Sequence, residues 1–83
     1  MPGLNTEVEH AHETYHVQTQ DLGPGPNSVE TTVYKAGRVL SSRRAYYTAF
    51  LNLSDLPDKI HAIIRDEHES VIREIKEGKF AHL

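Results

Sequence analysis

Two periods run along the chain. From Asn5 to about Tyr47 apolar and polar residues tend to alternate, the period of a half-buried strand. From Asp55 to Glu77 apolar residues recur every three or four positions, the period of a helix. Ile60, Ile64, Val71 and Ile75 fall on one side of that helix, with Ile63 and Ile72 on its two shoulders. Two polar residues, Glu67 and His68, project into the apolar arc. They can sit at its rim with only their stems covered, hydrogen-bond inside, or mark a site. A buried ionisable group without a partner costs several kcal/mol or shifts its pKa, so a rim position or a satisfied interior one carries more weight than a site. At the helix ends, Ser54 and Asp55 offer N-cap oxygens, Pro57 suits the first turn and Gly78 suits the left-handed position after the last.

The earlier residues divide into strands. Asn5–His10 places Thr6, Val8 and His10 on one side and Glu7 and Glu9 on the other. Ala11-His12-Glu13 would be its turn, without the Gly or Asn that tight hairpins favour. Thr14–Gln20 sets Tyr15, Val17 and Thr19 against a wholly polar His16, Gln18 and Gln20, so one face of the sheet should be wet. Gly23-Pro24-Gly25-Pro26-Asn27 is a surface loop. Ser28–Tyr34 turns Val29, Thr31 and Val33 inward, and Lys35-Ala36-Gly37 is a hairpin loop. The returning strand, Arg38–Tyr47, runs in like pairs: Val39-Leu40, Ser41-Ser42, Arg43-Arg44, Tyr46-Tyr47. Either a bulge shifts its pleat or it meets partners on both faces. Phe50, Leu51 and Leu53 are candidate core anchors, and Phe80 and Leu83 can pack back after the helix.

The expected fold is therefore α+β: a three- or four-stranded antiparallel meander, strands about 5–47, packed against one long C-terminal helix, about 55–77. Residues 1–83 are expected to form a single small domain.

Several segments also carry a resemblance. They are Tyr15-His16-Val17-Gln18-Thr19 with Asp21, Glu30-Thr31-Thr32-Val33-Tyr34, Gly37-Arg38-Val39-Leu40-Ser41-Ser42-Arg43-Arg44, and the close Glu67-His68, Ile72 and Ile75 to Phe80. Together they resemble a group of small bacterial β-meander-plus-helix domains of unknown function. The likeness spans nearly the whole chain. It implies a fold-sized unit and transfers no activity and no catalytic residue.

Composition narrows the classes. There is no cysteine, hence no disulfide framework and no thiolate chemistry, which suits a reducing compartment. The net charge is −3, unevenly spread: residues 1–29 hold four acids and no Lys or Arg, whereas residues 30–50 hold Lys35, Arg38, Arg43 and Arg44 against Glu30 alone. No apolar run approaches the roughly 20 residues of a membrane span, and the N-terminus lacks the pattern of a signal peptide. A cytoplasmic protein is the expectation.

Three site hypotheses follow. His10, His12 and His16, with Glu9 and Glu13 near, could supply metal ligands, but their spacing alone is a weak signal beside the alternative of a polar hairpin end. Arg43 and Arg44 with Tyr46 and Tyr47 could stack bases and meet phosphates. Against that stands the negative total charge, and pairing with Glu30 and with other carboxylates is the plainer use of these arginines. Catalysis has least behind it: His68-Glu69 does not continue into the HExxH zinc signature, and no GxSxG or phosphate-cradling glycine loop is present. The prolines of the Gly23–Asn27 loop remove the N–H groups that a phosphate nest uses. No cofactor or metal is expected.

The functional expectation is a non-enzymatic protein-interaction module that self-associates as a homodimer. Its contact residues would be drawn from Arg43, Arg44, Tyr46, Tyr47, Ile63 and Ile72. The reason is apolar surface: Ile63 and Ile72 widen the helix's apolar arc, and strand Arg38–Tyr47 is apolar or aromatic on both faces.

Overall fold

A computed structural model describes residues 3–83. Four strands follow one another in an antiparallel meander: β1 Gly3–His10, β2 Glu13–Asp21, β3 Ser28–Lys35 and β4 Arg38–Tyr46. A short 3₁₀ turn, Thr48–Phe50, leads to α1, Leu56–Lys76. The helix lies across β1, β2 and β3 on one face of the sheet. This is the α+β layout that the two periods predict, with four strands.

The turns show how local chemistry sets register. β1 and β2 are joined by Ala11 and His12 alone, at φ 52° and 66°. Both occupy the left-handed region without a glycine, as the type I′ turn demands of a two-residue hairpin. Ala36 and Gly37 repeat the arrangement at φ 53° and 76° between β3 and β4. The Gly23–Asn27 loop is pinned by Asp21, whose Oδ1 accepts from the Gly23 N–H at 2.9 Å and from the Tyr47 hydroxyl at 2.7 Å.

The like pairs of β4 are explained by a bulge. Val33 faces Ser41 while Tyr34 faces Val39, so Leu40 is the extra residue. It packs toward the core, and the pleat beyond it is shifted by one position. Arg43 is thereby on the helix side and Arg44 on the open side, as their different partners show.

α1 begins directly at Leu56, one residue before Pro57, and the Asp55 side chain makes no capping hydrogen bond. The start relies on backbone bonds, including Lys59 N–H to Asp55 C=O at 3.0 Å. The other end is fully specified. Gly78 at φ 81° lets its own N–H reach the Ile75 carbonyl and the Lys79 N–H reach the Glu74 carbonyl, each at 3.0 Å, a Schellman motif. That reversal returns Phe80 to the core at 4 % exposure, whereas Leu83 stays 43 % exposed. Leu51 and Leu53 also differ from expectation. They lie in the connection before α1, beyond the sheet, and remain exposed, while Phe50 alone packs inward.

Two apolar clusters result. Val8, Tyr15, Val17, Val33, Val71, Ile75 and Phe80 form one; Val29, Tyr47 and Ile64 form the other. The molecule is long and thin, 44 × 19 × 18 Å. Its radius of gyration, 13.6 Å, exceeds the roughly 12 Å of a compact chain of this length.

Candidate functional site

Between the two clusters lies a polar row. His68 faces the sheet from the middle of α1 and is 4 % exposed. Its Nε2 is 2.8 Å from Thr6 Oγ1 on β1, and its Nδ1 is 2.8 Å from Thr19 Oγ1 on β2. Thr19 in turn donates to Thr31 Oγ1 on β3 at 3.1 Å. With the Thr19 hydroxyl committed to Thr31, Nδ1–H donates to Thr19 and Nε2 accepts from Thr6. Both ring nitrogens are satisfied, and Thr19 and Thr31 are almost fully buried with it. Burial pushes the His68 pKa below the ordinary histidine value, with Glu69 pulling weakly the other way. His68 is thus a neutral, fully bonded interior residue.

The row continues to the sheet's edge. Thr31 faces Arg43 across the β3–β4 ladder. Arg43 grips Glu74 of α1 with both guanidinium nitrogens, at 2.8 and 2.5 Å. That bond raises the arginine's pKa and holds the Glu74 carboxyl below its usual range. Glu67, half-buried one turn past Ile63, adds a further favourable charge to Arg43. On the opposite face Arg44 Nε meets Glu30 at 3.3 Å. Both arginines are therefore paired within the chain.

The other residues singled out from the sequence separate in space. Tyr46 is 62 % exposed on the open face, but Tyr47 is a core residue at 3 %. Burial, and then the Asp21 carboxylate, push the Tyr47 phenol up to about 12. The pairing Tyr46-Tyr47 hid this difference, because β4 ends between them. Ile63 and Ile72 are each half-buried against the chain's own clusters, Ile63 at the Tyr47 end and Ile72 at the Ile75 end. The sheet thus covers more of the helix's apolar arc than the sequence alone predicts.

The histidines of the first hairpin do not converge. His10 lies on the helix side beside Gly78. His12 is at the tip of the turn, and His16 is on the open face against Asn5 and the Tyr34 ring. Among the described residues no three His, Cys, Asp or Glu side chains come together as metal ligands would.

The residues that sequence reasoning missed are Thr6 and Thr19 as partners of His68, Thr31 as the partner of Thr19, and Leu4 and Val39 as exposed apolar positions at the sheet's two edges. Among the described residues no helix is long and apolar enough to cross a membrane. No protein-family model, curated protein or solved structure matches the chain.

Proposed function

We propose that the chain is a non-enzymatic protein–protein interaction module that works as a homodimer. One observation carries this reading: the sheet has two open edge strands, and large apolar side chains stand exposed beside both. Leu4 is 40 % exposed at β1; Val39 and Tyr46 are 54 % and 62 % exposed at β4. A thin chain of 83 residues gains stability by covering such surface with another subunit. The polar side chains with candidate chemistry, His68, Arg43 and Arg44, are instead engaged in holding the fold. Sedimentation across the micromolar range should give a dimer in mass-action exchange with monomer; a monomer throughout would remove the reading.

Nucleic-acid binding through Arg43 and Arg44 has less support, since each guanidinium already has a carboxylate partner. Retardation of mixed oligonucleotides at low salt, abolished in Arg43→Glu/Arg44→Glu, would favour it.

A further inference from the structure

The two edges of the sheet are built differently. β4 carries a bulge at Leu40 and the basic residues Arg38, Arg43 and Arg44, devices that oppose the addition of another strand. β1 pairs with β2 over eight consecutive residues without a register shift. It contains no proline and no Lys or Arg, and Gly3, Leu4, Asn5, Glu7 and Glu9 are exposed along it.

We propose that β1 pairs antiparallel with β1 of a second copy, about a two-fold axis at Thr6, joining two four-stranded sheets into one of eight. This rests on the self-association reading above and names its seam. Residues opposite one another in an antiparallel ladder share a face, so only same-parity registers keep Leu4, Thr6 and Val8 toward the helix layer. With the axis at Thr6, Leu4 lies opposite Val8, Asn5 opposite Glu7 and Thr6 opposite Thr6. Apolar meets apolar, Thr meets Thr, and no like charges oppose. An axis at Glu7 sets Glu7 against Glu7, and one at Val8 sets Glu7 against Glu9. An axis at Asn5 leaves Val8–His10 outside the described ladder. β1 is self-complementary in one register.

The helix flank above β1 is compatible with this. It carries two shallow clefts, one of about 250 Å³ beside Leu4, His61 and Arg65, the other of about 360 Å³ along the helix at Glu69, Ile72, Arg73, Lys76 and Glu77. The axis runs perpendicular to the sheet at Thr6, which bonds His68 midway between the clefts. It turns the first cleft of one copy toward the second cleft of the other.

The test uses two exposed positions on the open face, Asn5→Cys and Glu7→Cys, with sedimentation in parallel. An equimolar mixture of the two variants, under mild oxidation by glutathione disulfide, should form far more linked dimer than either alone. Val39→Cys should not link. Leu4→Lys should raise the dimer dissociation constant about tenfold or more with the circular dichroism unchanged. A dimer that neither links 5 to 7 nor weakens in Leu4→Lys overturns the seam and leaves self-association standing. A monomer overturns both. Species that grow past dimer with concentration overturn the two-fold in favour of β1-to-β4 chains.

Discussion

Ile75 and His68 lie seven residues apart on the same side of α1, at 1 % and 4 % exposure. Ile75 belongs to an apolar cluster that draws Val8, Tyr15 and Val33 from three strands. His68 is held by two hydroxyls at 2.8 Å each. Equal burial therefore hides two different sources of stability. An apolar contact is non-directional and tolerates small shifts, whereas a buried hydrogen bond is worth little net but is costly to leave unmade. The ends of the core supply most of the energy, and the polar row between them supplies direction.

Substitutions separate the two. Ile75→Ala should cost about 3 kcal/mol in chemical denaturation, through lost transfer energy and the cavity left behind. His68→Leu should cost about 1–3 kcal/mol, although it adds apolar volume, because Thr6 and Thr19 lose their partner. Adding Thr6→Val, Thr19→Val and Thr31→Val to His68→Leu, so that no hydroxyl of the row is left without a partner, should recover part of that loss; a quadruple variant less stable than the single one would break the comparison. Arg43→Ala, at the solvent end of the row, should cost about 0.5–1 kcal/mol and lose that effect in high salt. Ser28 provides the control. Its buried hydroxyl has no hydrogen-bond partner, so Ser28→Ala should leave stability unchanged or raise it by up to about 1 kcal/mol, the opposite sign to His68→Leu.

Acid sharpens the contrast. The folded state keeps His68 neutral below the ordinary histidine pKa, while the unfolded chain takes up a proton from about pH 6.5 downward. The His68 contribution is therefore complete above about pH 6.5 and declines as pH falls toward the lowered folded value. The urea midpoint should drop between about pH 7.5 and pH 5.5 in wild type, with a smaller drop in His68→Leu. An unchanged drop in the variant would assign the effect elsewhere.

Much of this fold is readable from residues alone. The alternation in Thr14–Gln20 and the arc from Ile60 to Ile75 specify both layers, and Gly78 marks the end of the helix. His68 stands out as a polar intrusion in that arc. Its partners do not, because threonine alternates along a strand as valine does. Thr6, Thr19 and Thr31 become neighbours only once the register of three strands is fixed. The Ala11-His12 turn is legible in its place but not in its form: neither residue is the Gly or Asn that would announce the left-handed conformation the hairpin imposes on both. The doublets of β4 signal an irregularity, but whether a bulge or a second contact surface resolves it depends on the position of Leu40.

The histidine between the threonines also acts as a detent. Sliding α1 by one turn in either direction would put Ile64 or Ile72 under three hydroxyls and leave the imidazole among valines. A seam of interchangeable aliphatics would let the rod settle at several stops along the strands; this one clicks into a single place.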